Sequence, residues 1–282
     1  MMSLPRSVVI TGASTGIGRE CALRMDALGW RVFAGVRRDA DGASLRAEAS
    51  ERLTPLMLDV TKAEAVARVE KIVGKTVGDG GLDGLVNNAG IPYGGPIEFL
   101  DLAELRRTIE VNFFGLVHVT QALIPLLRRA SGHIVNMSSL SGWIASPFLS
   151  PYSTSKFALE ALSDALRVEL EPWKIHVAVI EPGAIDTPIW GKGKEIIGRL
   201  ATGASSNMLK LYGPEVEAVK QRVAPHGIPP SHVVKAVEHA LTARKPRTRY
   251  TVGRDAALVR VFRYLPDRWR DAFYLKSWLR RR

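Results

Sequence analysis

A single cysteine, Cys21, occurs in 282 residues. An internal disulfide is excluded, and a reducing compartment fits. Cys21 falls in a helical pattern, where it reads as small apolar filler and not as a reactive thiol. No uninterrupted apolar run approaches the roughly 20 residues that span a bilayer, so no transmembrane segment is expected. The opening stretch MMSLPRSVVITGA has neither an apolar h-region nor a small-residue cleavage site. It reads as lacking a signal peptide, and the expected location is cytoplasmic. The six histidines show no ligand spacing, so no metal is expected. There is no internal repeat and no low-complexity tract.

Basic charge is plentiful but confined. The formal charge is +11, and residues 244–282 hold 13 Lys and Arg against 3 Asp, a net of +10. The other 243 residues hold 26 basic and 25 acidic side chains, a net of +1. A neutral body without a basic stripe argues against nucleic acid as a partner.

Strand-like and helix-like patterns alternate through the body. Apolar, β-branched runs occur at 7–13, 31–36, 53–60, 84–90, 133–139 and 176–183, with a weaker one at 248–253. Helical periodicity marks 17–28, 62–77, 101–129 and 153–171. Continuous apolar strands separated by helices predict a parallel sheet covered on both faces, an α/β fold. After residue 183 the pattern breaks. Residues 184–230 are rich in Gly, Pro, Lys and Ser, with helical pieces near 193–201 and 214–223. They read as a segment over the site within one domain spanning 1–253, which a helix near 231–243 and the last strand complete. Residues 254–282 form a basic C-terminal extension.

TGASTGIG (11–18) follows the first strand and opens the first helix. Gly12 suits a tight turn, Gly16 a close approach of backbone to pyrophosphate, and Gly18 close helix packing. Ser14, Thr15 and Ile17 complete the turn, and free N–H groups at the helix start attract phosphate. An NAD site places a carboxylate at the end of the second strand. Here Val36, Arg37 and Arg38 stand there, and Asp39 comes late. A guanidinium suits a 2′-phosphate, so NADP(H) is expected over NAD(H), with Arg37 the main contact and Arg38 a helper. Asp59 and Val60, after the third strand, are placed for the adenine. Asn87 and Asn88, followed by Ala89 and Gly90, end the fourth strand and need partners, from a cofactor or a neighbouring strand.

YSTSK (152–156) sets Tyr152 and Lys156 one helical turn apart on one face. Taken in order, TGASTGIG, LDVT, NNAG, VNFFG, NMSSLSG, YSTSK and EPGAIDT resemble the short-chain dehydrogenases/reductases over roughly 5–190 and the last strand. The look is nearest to members acting on retinoids, hydroxysteroids and other lipophilic carbonyls. The resemblance implies a Rossmann-type, doubly wound sheet of seven parallel strands and a nicotinamide-dependent oxidoreductase. It implies a tetrad of Asn112, Ser139, Tyr152 and Lys156. Tyr152 is then the acid/base, its pKa lowered by Lys156 and the nicotinamide charge. Ser139 polarises the carbonyl, and Asn112 holds a water that links Lys156 to solvent. Pro182, Gly183, Ile185 and Thr187 flank the nicotinamide. By the same analogy, the helices at 101–129 and 153–171 join subunits into a homodimer or homotetramer.

Ile91, Trp143, Phe148, Leu149 and Trp190 are apolar residues placed to wall a pocket, with Pro92, Tyr93, Ile144 and Ile189 beside them. Such a wall fits a small lipophilic ketone, aldehyde or alcohol. The tail admits two readings: helices packed on the domain, or a basic surface helix against a membrane. Other activities stay open, among them a 3-ketoacyl-type reductase, a non-catalytic NADP-binding regulator, and an epimerase or dehydratase of the extended branch. The long extension argues against the first and the intact Ser139/Tyr152/Lys156 set against the second. The glycine spacing argues against the third.

Overall fold

A computed structural model of the protein describes residues 5–188, 206–222, 227–253 and 256–277. Seven strands form one sheet: β1 (Ser7–Ile10), β2 (Arg31–Val36), β3 (Leu53–Met57), β4 (Gly84–Asn87), β5 (His133–Met137), β6 (His176–Pro182) and β7 (Arg249–Val252). The order is β3-β2-β1-β4-β5-β6-β7, and every pairing is parallel. This is the doubly wound Rossmann arrangement. β1 and β4 are buried at every position because helices cover both faces.

One face holds α1 (Gly16–Ala27), α2 (Asp39–Glu48) and the helix Ser231–Thr242. Its core joins Cys21, Met25, Leu45, Val233 and Val237 to the sheet. Burial pushes the Cys21 thiol up to about 12, so it is apolar filler, as expected. The other face holds α3 (Ala63–Val77), α5 (Gly115–Ala130) and α6 (Ser150–Glu169). Along α3 the buried residues Ala65, Val66, Val69, Val73 and Val77 recur with helical spacing and form one stripe on the sheet. Each of the four valines contributes about 1.5–3 kcal/mol on burial.

The single helix expected over 101–129 is α4 (Leu102–Ile109), a π turn (Glu110–Phe114) and α5 in continuous succession. By length and composition alone these 29 residues are apolar enough to cross a membrane, a test that buried core helices also pass. They pass because polar residues are spread thinly among apolar ones. Leu116, Val119, Leu123 and Leu127 are nevertheless buried against the sheet, as in a core helix. The helical piece expected at 214–223 begins earlier, as Ser206–Arg222; the one at 193–201 lies outside the described residues. The tail carries two helices, Ala256–Phe262 and Asp267–Ser277.

β1 pairs with β2 on one side and with β4 on the other. Chain connections diverge between β1 and β4, which opens a crevice at the carboxyl ends of the strands.

Candidate active site

The glycine turn leaves β1 at this crevice. Gly12 has φ +66°, which a Cβ would strain, and that Cβ would also lie 2.8 Å from Ala89 Cα. A Cβ on Gly18 would overlap Gly12 O and the Asn88 amide. Gly18 therefore packs inside the turn and does not line the cavity. Asn88 holds the turn by donating from Nδ2 to the carbonyls of Thr11 and Gly12, both at 3.0 Å. Thr11 Oγ1 in return accepts from the N–H of Asn88 and of Ala89, each at 3.0 Å. Asn87 donates from Nδ2 to Thr120 Oγ1 and Asn136 Oδ1 at 2.9 Å, while its buried Oδ1 has no hydrogen-bond partner among the described residues. The two asparagines are thus held by the protein itself.

One continuous cavity runs from this turn. Gly12, Ser14, Thr15, Gly16 and Ile17 line its start, and Arg37, Asp59 and Val60 its flank. No hydrogen bond or ion pair ties the Arg37 side chain among the described residues. Arg38 departs from expectation. It forms a two-pronged pair with Asp41, at 2.7 and 3.0 Å, and its side chain is 75% exposed and off the cavity. A carboxylate three residues on captures it. Asp59 accepts from Thr61 N at 3.0 Å and Thr61 Oγ1 at 2.7 Å. Burial pushes its carboxyl up, but these bonds and the nearby Arg37 outweigh that and hold it low. Asn88, Ala89 and Gly90 border the same space.

Ser139, Tyr152 and Lys156 line the same cavity, together with Pro182, Gly183, Ile185 and Thr187. Ser139 caps the short turn Leu140–Gly142, its Oγ accepting from Ser141 N at 3.1 Å. Tyr152 sits in the first turn of α6, whose N-terminal dipole favours a phenolate. Burial alone pushes the phenol above its ordinary value, and a hydrogen bond with Ser139 pulls part of the way back. The Lys156 ammonium donates to Met137 O at 2.8 Å and lies 5.6 Å from the Tyr152 ring centre. Burial brings Lys156 down to about 8, against the pull of the Glu160 carboxylate.

Asn112 lies behind the cavity wall. The π turn buries its side chain, and Oδ1 accepts from Ile91 N at 2.8 Å. Its Nδ2 donates to Ile91 O and Ser155 Oγ, each at 3.0 Å. These bonds fix the loop after Gly90, and among the described residues Asn112 forms no hydrogen bond with Lys156.

Ile91, Phe148 and Leu149 form the apolar end, joined by Met208 and Val216 from the helix Ser206–Arg222. Phe148 has φ +65° and is held there by Gly95 N, which donates to its carbonyl at 2.7 Å. Trp143 is not part of this wall. Arg263 of the tail lies 4.9 Å from its ring centre, and its indole N–H faces Glu181 at a geometry too poor for a hydrogen bond. Trp190 and Ile189 lie outside the described residues.

The family profile described as short chain dehydrogenase matches residues 6–196. The chain belongs to the short-chain dehydrogenase family.

A 17-beta-hydroxysteroid dehydrogenase type 6 of Bos taurus is 39% identical over 280 residues, covering 96% of this chain and 88% of the relative. Retinol dehydrogenase 5 of Mus musculus is 38% identical, over 96% and 89%. An NADPH-dependent 3-dehydrocapnine reductase of Ornithobacterium rhinotracheale is 35% identical, over 96% and 97%. A short-chain dehydrogenase structure from Streptomyces avermitilis superposes with a TM-score of 0.78 at 32% identity, over 97% of both chains. This short-chain dehydrogenase is therefore an oxidoreductase that uses a nicotinamide cofactor. Met208 and Val216 escaped the sequence reading because they sit in a Gly- and Pro-rich stretch with no strong apolar period. Leu58 and Met137 escaped it because they read as strand core, although both border the cavity.

Proposed function

We propose that the enzyme transfers hydride between NADP(H) and a lipophilic ketone, aldehyde or alcohol of steroid, retinoid or lipid type, with Tyr152 as acid/base. The carrying observation is the continuity of the cavity. A glycine turn and Arg37, the trio Ser139, Tyr152 and Lys156, and the apolar Phe148, Leu149, Met208 and Val216 all line this one cavity. The cradle fits the cofactor. Backbone comes close at Gly12, the α1 N-terminus is open, and no carboxylate follows β2 before Asp39. Arg37 and Ser14 would hold the ribose phosphate, Asp59 and Val60 the adenine, and Ile185 and Thr187 the carboxamide. Bound nicotinamide supplies or accepts the hydride.

The protein's own groups handle the oxygen and its proton. Ser139 donates to the carbonyl oxygen and orients it. Tyr152 delivers its phenolic proton as the oxygen gains charge, and takes it back in the oxidative direction. The Lys156 ammonium and the α6 N-terminus stabilise the resulting phenolate. The test is kcat/KM with NADPH and with NADH over a panel of apolar ketones. NADPH should be favoured at least about tenfold, the worth of one charge-assisted contact, and Arg37→Glu should erase the preference. Equal use of both by the wild type contradicts the cofactor reading.

A peripheral membrane contact is supported by the tail, where Tyr264 is 81% exposed, Trp269 66% and Leu258 67% among basic residues. Flotation with anionic vesicles should require the chain beyond residue 254. Exposed Phe114, Phe157 and Val168 on the α5–α6 side support self-association there. A monomer by sedimentation contradicts that.

A further inference from the structure

A charged cluster lies directly behind the catalytic lysine, and the proposed chemistry does not use it. α6 carries Lys156 and, one helical turn on, Glu160, and both are buried. Glu160 leaves the cavity and packs by the turn Leu140–Gly142, where a Cβ on Gly142 would lie 3.0 Å from Glu160 Cγ. Arg249 of β7 donates to Glu160 Oε2 from Nη2 at 3.1 Å and from Nε at 3.3 Å. The same guanidinium reaches Asp164 Oδ1 at 2.8 Å and Glu181 Oε1 at 3.1 Å. Three carboxylates from two elements share one cation. Glu160 Oε1 meanwhile has no hydrogen-bond partner.

We infer that Glu160 is a positioning residue for the reaction: its carboxylate, anchored by Arg249, keeps the Lys156 ammonium charged beside Tyr152. The inference rests on the role given to Lys156 under the proposed function. Its neighbours single Glu160 out. Lys156 has Tyr152 and Glu160 one turn to either side on its own helix, and it donates to Met137 O of β5. Glu160 has Lys156 one helical turn before it on α6 and Arg249 paired with it at 3.1 Å, and Glu181 of β6 meets the same guanidinium. Asp164 is half exposed and already paired with Arg167 at 2.7 Å. From the tail, Arg263 reaches the cluster only through the Trp143 ring. Glu160 is also the group that pulls Lys156 upward against burial.

Two variants move Lys156 in opposite directions. Glu160→Gln should shift the alkaline limb of the kcat pH profile down by about one unit, the scale of one nearby opposite charge. Arg249→Met leaves Glu160 without its counter-ion and should shift the limb upward. Glu160→Asp should restore the wild-type limb. Competitive acetylation of Lys156 across pH, read by mass spectrometry on cofactor-free protein, reports the same shifts without turnover. Limb and labelling unchanged in either folded variant overturn the inference, because a merely structural role lowers stability without moving Lys156. A wild-type chain inactive on every ketone, with Lys156 labelling shifted in Glu160→Gln, supports the inference and contradicts the proposed reaction instead.

Discussion

Replacing Glu181 by Gln tests the buried charge cluster through stability. Glu181 is 0% exposed in β6, where it meets Arg249 and accepts from Thr251 Oγ1 at 2.9 Å. Burial and the neighbouring Glu160 raise its carboxyl from 4.5 to about 7, against the pull of Thr251 and Arg249. The folded pKa exceeds the unfolded one, so the fold binds this proton more tightly than the unfolded chain does. That stability is complete below about pH 4.5 and is lost as pH rises through about 7. The interval from 4.5 to about 7, at about 1.36 kcal/mol per unit, sets a ceiling near 3 kcal/mol. Gln copies the protonated acid and cannot ionise. Relative to wild type, Glu181→Gln should therefore gain up to about 3 kcal/mol between about pH 5 and about pH 8. Urea unfolding followed by tryptophan fluorescence at both pH values measures the difference. A difference that stays constant with pH refutes the reasoning, since Glu181 would then titrate as an ordinary exposed acid.

Other outcomes follow from the same structure. Gly18→Ala forces a Cβ into Gly12 O and the Asn88 amide, so nucleotide affinity should fall by about tenfold or more, by the loss of one well-placed contact; an unchanged Kd by nucleotide fluorescence contradicts this. Leu123→Ala empties a fully buried site between α5 and the sheet, and should cost about 2–5 kcal/mol in chemical unfolding with kcat unaltered.

Much of this was legible in the residue order because the signals are local. Seven apolar runs marked seven strands, and glycines marked the turn that needs close approach at Gly12 and Gly18. Tyr152 and Lys156 share a face for a reason of helical period alone. The rest depends on partners distant in sequence. Nothing near Trp143 announces that Arg263, far along the chain, covers its ring, so an apolar loop residue was read as pocket wall. Arg38 and Asp41 form a pair whose spacing was visible in the sequence, but the cationic run drew the reading toward phosphate. Asn112 was odd for a helix interior, yet a π turn changes the period by about one residue over a single turn, too little to show in an apolar pattern. Met208 and Val216 could be placed only once the helix Ser206–Arg222 was seen over the cavity.

The central claim is that Tyr152 moves the proton in an NADP(H)-linked carbonyl reduction. It is tested most directly by Tyr152→Phe, with NADPH affinity measured by fluorescence and turnover of an apolar ketone followed by NADPH absorbance. The account predicts nucleotide affinity near that of the wild type and kcat lower by at least about a hundredfold, the scale of general acid catalysis. Turnover within about threefold of wild type, well inside that scale, would contradict it.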